Sequence, residues 1–101
     1  MKQIIAEETE QTVNLSFGAA IEAVKRGKKI SRVGWNGKGM YVFLAQGDSI
    51  EFTTDADMSE FVDREFEVAD MLVLRTAQGN LQPGWLATQS DMLADDWCIV
   101  G

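Results

Sequence analysis

Residues 35–40 of this 101-residue chain concentrate groups that can recognise a small polar ligand. In order they are Trp35, Asn36, Gly37, Lys38, Gly39 and Met40. The aromatic ring can stack on a nucleobase, which contributes ~1–3 kcal/mol per base. The carboxamide can form hydrogen bonds with the edge of the base, and the cation and the glycine amides can contact a phosphate. A tryptophan in a glycine-rich turn can equally be a structural plug, so the segment supports either interpretation.

A second polar cluster lies near the C-terminus, between Trp85 and Met92. Its four polar side chains are Thr88, Gln89, Ser90 and Asp91. They crowd the start of a predicted short helix, where unpaired backbone N–H groups favour anions or hydroxyls. Extensive helix capping by the same side chains is the alternative interpretation.

Catalytic residues are scarce. The chain has no histidine and one cysteine, Cys98, so a zinc site, a cysteine–histidine pair and an internal disulfide are excluded. Because Cys98 alternates with Trp97 and Ile99, it is predicted to be a packed core thiol. Asp91, Asp95 and Asp96 could hold magnesium or act as acid and base, but solvated helix caps explain them more simply.

Two further motifs fail on spacing. Asp55 and Asp57 resemble the start of a calcium loop, but its sixth position is Glu60 and its twelfth Phe66, where glycine and glutamate are required. The glycines at 34–39 follow neither the Rossmann nor the P-loop order. The sequence therefore predicts a binding protein with no catalytic residues, metal or cofactor.

Charge is distributed unevenly along the chain. The net charge of −7 argues against duplex DNA and anionic membranes as partners. Residues 25–38 nevertheless contain six of the nine basic residues and no acid, whereas residues 39–101 contain twelve of the sixteen acids. A basic segment on an acidic body could receive a small anion, although a solvated helix end and a basic turn would look the same.

The periodicity predicts an α+β fold with one N-terminal helix packed on a four- to five-stranded antiparallel sheet, and a short helix near the C-terminus. The first helix is predicted over 16–26, with Ser16 as N-cap, an apolar stripe at helical spacing and Gly27 as the stop. The strands are predicted at 29–33, 40–45, 71–76 and 97–100, with a possible edge strand at 2–5, and the short helix at 91–95 behind a Ser90 cap.

One domain is expected over 1–101, with an acidic insertion at 47–70 that carries nine acids and one base. Within it, Ile50 with Phe52 and Phe61 with Val62 suggest a small hairpin or helical turn. No apolar stretch approaches the ~20 residues that a membrane span needs, and the N-terminus lacks the pattern of a secretory signal. A cytoplasmic protein is therefore predicted.

Both clusters resemble segments of one phage family. Residues 16–41 resemble its opening, and residues 83–97 resemble its closing stretch. That family is the second Thoeris anti-defence group, formerly a domain of unknown function. The resemblance covers about 15–45 and 70–100. The N-terminal lead of about 14 residues, Gly84 before Trp85 and the acidic middle depart from the family pattern, which affects the ligand expected more than the family.

The resemblance implies a function. Members of this group bind the cyclic ADP-ribose isomers that Thoeris systems make as alarm signals and hold them without cleavage, and some capture cyclic dinucleotides. They are helix-on-sheet proteins that assemble as homotetramers with pockets between protomers. A non-catalytic sponge in the host cytoplasm follows as the expected function. An acidic protein that docks on a host protein or mimics DNA is the alternative, and a magnesium-dependent phosphodiesterase is a third.

The resemblance also implies roles for individual residues. Trp35 would stack on adenine or pack on ribose, and Asn36 with the backbone of residues 37–39 would bond the base edge or phosphates. Hydroxyls of the ribose would be held by Thr88, Gln89 and Asp91. The pyrophosphate would be balanced by Lys38 or Arg75.

Overall fold

The computed structural model of this chain describes residues 10–36, 38–50 and 67–101. In these ranges the chain forms α1 (Phe17–Lys25), β1 (Lys29–Arg32), β2 (Tyr41–Ala45), β3 (Met71–Arg75), β4 (Leu81–Pro83), α2 (Gln89–Leu93) and β5 (Trp97–Val100), with a single 3₁₀ turn at Gly47–Ser49. The antiparallel sheet has the order β4-β3-β2-β1-β5. The predicted α+β architecture is confirmed.

Helix α1 begins and ends where its sequence predicts. The Ser16 hydroxyl accepts a hydrogen bond from the Ala19 amide at 3.2 Å, which satisfies one of the unpaired N–H groups of the first turn. Gly27 follows with a φ of 90°, a conformation that glycine adopts without steric cost. The apolar stripe buries Ala20, Ala23 and Val24 against the sheet.

Strand β2 is the central strand, and its register assigns side chains to the two faces of the sheet. Val42 pairs with both Ile30 and Leu74, and the side chains of Val42 and Ile30 are fully buried on the face that α1 covers. Tyr41 pairs with Arg75 on the opposite face. The continuously apolar β2 sequence therefore places side chains both in the core under α1 and on the opposite face of the sheet.

Three expectations from the sequence need correction. The second helix is Gln89–Leu93 with Thr88 as N-cap, so the predicted Ser90 cap was wrong, because Thr88 and Asp91 form a reciprocal capping box. Strand β4 was not predicted, since it is three residues long and ends in a proline, which the sheet accepts at its edge. Cys98 is only half-buried because it faces away from α1.

Several predictions fall outside the described residues. These are the edge strand at 2–5, residues 51–66 of the hairpin or helical turn expected within 47–70, and the calcium-like motif at 55–66. Within the described ranges, no helix is long and apolar enough to cross a membrane. The same ranges contain no group of three or more acidic or cysteine side chains placed to hold a metal ion.

Candidate functional site

Three tryptophans from distant parts of the sequence meet beside α2, and we call Trp35, Trp85 and Trp97 the tryptophan cluster. Their ring centroids lie 5.3 Å (Trp35–Trp97), 6.3 Å (Trp35–Trp85) and 6.2 Å (Trp85–Trp97) apart, each pair edge to face. This is the preferred geometry for aromatic pairs because a positive ring edge meets a negative face. Trp97 is completely buried, whereas Trp35 and Trp85 are half-buried.

Asp91 connects the tryptophan cluster to α2. Its Oδ1 accepts a hydrogen bond from the Trp35 indole at 3.2 Å, and its backbone carbonyl accepts one from the Trp97 indole at 2.9 Å. Its Oδ2 accepts a bond from the Thr88 amide at 3.0 Å, and its amide donates to the Thr88 hydroxyl at 3.1 Å. Asp91 therefore holds this region together. Its Oδ1 also accepts a hydrogen bond from Arg32, so Oδ2 accepts fewer hydrogen bonds than Oδ1.

Arg32 pairs with two aspartates, and we call Arg32, Asp91 and Asp96 the Arg32 network. Its Nη1 donates to Asp91 Oδ1 at 2.9 Å and its Nε donates to Asp96 Oδ1 at 2.8 Å. Asp96 Oδ2 also accepts a hydrogen bond from the Gly34 amide at 2.8 Å. One cation thus joins the end of β1, the following turn and the segment from α2 to β5.

The pKa values of both carboxyl groups respond to this arrangement. Burial acts to raise the pKa of Asp91, but hydrogen bonds from Thr88, Arg32 and Trp35 outweigh it and leave that pKa below the ordinary value of 3.8. The Arg32 side chain holds the pKa of Asp96 below its ordinary value despite partial desolvation. Hydrogen bonds to Asp96 and Asp91 raise the pKa of Arg32. All three groups are charged at neutral pH.

A cleft lies on the opposite face of the sheet, and we call it the Arg75 cleft. Its volume is about 490 Å³, and it is lined by Lys29, Ser31, Gly39, Met40, Tyr41, Arg75, Val100 and Gly101. The Lys29 ammonium lies 5.0 Å and the Arg75 guanidinium 6.0 Å from the centre of the Tyr41 ring. Both distances suit cation–π attraction, so the two cations flank one aromatic ring.

Backbone groups of the turn after residue 38 complete the Arg75 cleft. Arg75 Nη1 donates to the Gly39 carbonyl at 2.8 Å, and the Ser31 hydroxyl donates to the Met40 carbonyl at 2.8 Å. Gly39 has a φ of +76°, and a Cβ there would lie 2.6 Å from Arg75 Nη1. The positive φ therefore favours glycine at position 39, and any larger residue there would also displace the Arg75 guanidinium.

The structure separates the predicted ligand residues into two groups. Trp35, Thr88, Gln89 and Asp91 lie at or beside the tryptophan cluster, whereas Gly39, Met40 and Arg75 line the Arg75 cleft. The exposed Asn36 and Lys38 lie in the turn that runs between these regions. Gly37 falls outside the described residues.

Sequence reasoning missed three residues that the structure brings into these regions: Lys29, Arg32 and Tyr41. Arg32 was counted only as part of the basic segment. Three of the six cations of that segment pair with acids of the described residues, namely Lys25 with Glu22, Arg26 with Glu10, and Arg32 with its two aspartates. The cross-strand pairing of Tyr41 with Arg75 could have been inferred only from the register of β2 and β3.

Comparison with known proteins gives two findings. A family model described as the Thoeris anti-defense 2-like domain matches residues 15–100. A protein of Bacillus phage SP01 named Thoeris anti-defense 2 is 35% identical over 86 residues, which cover 85% of this chain and 94% of the phage protein. The matched span contains every described element from α1 to β5.

Proposed function

Since the chain belongs to the Thoeris anti-defense 2-like family, we propose that it binds and holds, without cleavage, the cyclic ADP-ribose isomer through which a Thoeris system signals. Family membership assigns the chain to phage anti-defence. The finer step from anti-defence to sequestration rests on the chemistry of the site. The protein would act in the cytoplasm of the infected host, where the signal is made.

The state of Arg75 is the observation that carries the proposal. Among the described residues, its polar contacts are with the carbonyls of Gly39 and Thr76, so its charge is not neutralised by a carboxylate there. Lys29 lies across the same tyrosine ring, and among the described residues no side chain that lines the cleft is acidic, the one carboxylate there being the C-terminal group of Gly101. A protein with a net charge of −7 thus presents two cations together, an arrangement that suits a pyrophosphate.

The other proposed contacts follow from the exposed polar groups beside the tryptophan cluster. Asn36, Thr88 and Gln89 are exposed, and we assign the base edge to Asn36 and the ribose hydroxyls to the other two. Asp91 would add one contact through Oδ2, which accepts a single described hydrogen bond from the protein. The accessible part of Trp35 would pack on the base or ribose, with Lys38 and the backbone of residue 39 nearest the phosphates.

A homotetramer with ligand pockets between protomers is part of the proposal. Large apolar side chains are exposed around the tryptophan cluster: Val33 at 76%, Leu86 at 86% and Leu93 at 74%. Exposed apolar patches of this kind are typical of protein interfaces. Burial of these side chains in an assembly would also enclose a ligand held by the neighbouring polar groups.

The direct test is a calorimetric titration of the purified protein with a cyclic ADP-ribose isomer, followed by heat release and mass analysis of the bound molecule. A sponge that competes with a host receptor needs nanomolar affinity, about −12 kcal/mol. Tight binding with the intact ligand recovered is the expected result. A cleaved product would indicate an enzyme, and binding only to cyclic dinucleotides would change the ligand class. Absence of binding to all of these would leave the acidic interaction protein as the working hypothesis.

Arg75→Gln tests which cation meets the ligand. Loss of a charge-assisted hydrogen bond costs about 1.5–3 kcal/mol, so affinity is expected to fall tenfold or more. The matched control is Arg26→Gln, since Arg26 is an exposed arginine at the end of α1 that pairs with Glu10. Equal affinities for the two variants would refute a phosphate contact by Arg75.

Gln89→Ala tests the proposed ribose contact in the same titration. The side chain is exposed at the start of α2, so its removal is expected to weaken binding several-fold and leave the fold intact. Gln82→Ala on β4, also exposed, is the matched control and should bind like the unchanged protein. If both glutamine variants bind with the unchanged affinity, the assignment of Gln89 is wrong.

A further inference from the structure

We propose that Arg32 is a positioning residue for ligand recognition, which holds the turn at 33–36 and the start of α2 in one arrangement without touching the ligand. The consequence for affinity rests on the proposed function above. The positioning itself can be measured on the free protein.

Two parallel connections run from the turn through a carboxylate to the same guanidinium. Asp91 Oδ1 accepts hydrogen bonds from the Trp35 indole and, at 2.9 Å, from Arg32 Nη1. Asp96 Oδ2 accepts a hydrogen bond from the Gly34 amide, and Asp96 Oδ1 accepts one from Arg32 Nε at 2.8 Å. Both the side chain and the backbone of the turn are therefore fixed relative to Arg32, which β1 holds in register with β5.

The spacing around Gly34 shows how closely the turn is held. A Cβ at position 34 would lie 2.9 Å from Asp96 Oδ2 and 3.4 Å from Arg32 Nη2. The turn therefore rests directly on the Arg32 network, and a larger residue at position 34 would have to displace the Asp96 carboxylate. Displacement of Asp96 would release the Gly34 backbone and change the direction in which Asn36 is presented.

Charge argues that Arg32 does not itself bind a phosphate. One guanidinium with two ionised aspartates sums to −1, so an approaching phosphate would meet net negative charge. Only 18% of the Arg32 side chain is exposed. The two carboxylate partners distinguish it from Arg75, which has none among the described residues.

Lysine cannot reproduce this geometry. A guanidinium presents Nε and Nη1 to two different carboxylates at fixed angles, whereas an ammonium is a single point charge on a flexible chain. Arg32→Lys keeps the charge and removes the fork. It therefore separates positioning from electrostatics.

The test measures affinity for a cyclic ADP-ribose isomer and the ¹H–¹⁵N resonances of the free protein for Arg32→Lys and for Val24→Ala. Val24 is buried in the core and makes no bond to the Arg32 network, so its truncation lowers stability alone. Arg32→Lys is expected to weaken affinity about tenfold and to shift the Trp35 indole and Gly34 amide resonances. Val24→Ala should change neither the affinity nor these two resonances.

Each outcome decides the proposal. Unchanged affinity in Arg32→Lys, or unmoved Trp35 and Gly34 resonances, would overturn it. If the unchanged protein binds no cyclic nucleotide, the proposed function fails, and the resonances alone support or refute positioning by Arg32. If Arg32→Lys does not fold, Asp96→Asn replaces it, because that variant retains the pair between Arg32 and Asp91. It should shift the Gly34 amide most and weaken affinity less.

Discussion

Arg32 on β1 and Arg75 on β3 lie on either side of the central strand β2, and the charges of the two arginines have different surroundings. Arg32 is enclosed by two aspartates beside the tryptophan cluster, so its charge is used within the protein. Arg75 contacts backbone carbonyls and a tyrosine ring among the described residues, so its charge remains available to a ligand. The tryptophan cluster is thus a hydrogen-bonded and ion-paired support on the face of the sheet that α1 covers, whereas the Arg75 cleft is a cationic surface on the opposite face.

This difference also revises how the basic segment at 25–38 should be interpreted. A local excess of positive charge in the sequence suggested an anion site formed by the segment as a whole. Three of its cations are paired with acids from elsewhere in the chain. The cations that meet across Tyr41 are instead Lys29 from this segment and Arg75 from β3.

The largest effect on the free energy of unfolding is expected from a substitution in the tryptophan cluster. Trp97 is completely buried and contacts Phe17, Trp35 and Trp85. Trp97→Ala should lower the free energy of unfolding by about 3–5 kcal/mol, because it leaves a large cavity and removes an indole hydrogen bond. Chemical denaturation measures this. Tyr41→Ala in the Arg75 cleft is the comparison, and a loss as large as that of Trp97→Ala would contradict the division into support and surface.

A smaller effect on the free energy of unfolding is expected from substitution of the two arginines, and it should differ between them. Arg32→Gln leaves two carboxylates without their cation in a partly buried site and should lower the free energy of unfolding by about 1–3 kcal/mol. Arg75→Gln, which removes no described ion pair, should change it by less than about 0.5 kcal/mol. Denaturation of both variants under the same conditions compares them directly. Similar losses for both would show that the two arginines do not differ in role.

The smallest effect is expected in the dependence of stability on pH. The pKa values of Asp91 and Asp96 are lowered in the folded state, so their contribution is fully present above the ordinary value of 3.8 and is lost as the pH falls through the lowered values. Asp96→Asn should therefore reduce the loss of stability on acidification, as measured by thermal unfolding between neutral and strongly acidic pH. Asp95→Asn is the matched control, since Asp95 makes no ion pair with Arg32. An identical acid response in both variants would contradict the role of Asp96.

Local sequence determined most of the elements. The Ser16 cap, the apolar stripe of α1 and Gly27 specify a helix through contacts within a few residues, and the structure confirms it. Strand β2 was also predicted from local sequence, because its apolar and aromatic residues favour a strand. Helix α2 was misplaced by two residues because Thr88, Ser90 and Asp91 can all cap, and only the reciprocal bonds between Thr88 and Asp91 decide which residue does.

What the tertiary structure decided is which of these residues meet. Position in the sequence brought Trp35, Asn36 and Lys38 together, and it placed Thr88, Gln89 and Asp91 in a second group. It could not show that Arg32 pairs with Asp91 and Asp96, which lie 59 and 64 residues away, or that Lys29 and Arg75 share one tyrosine. Such pairs depend on strand order and register, and these are set by burial of the whole core and by no local pattern.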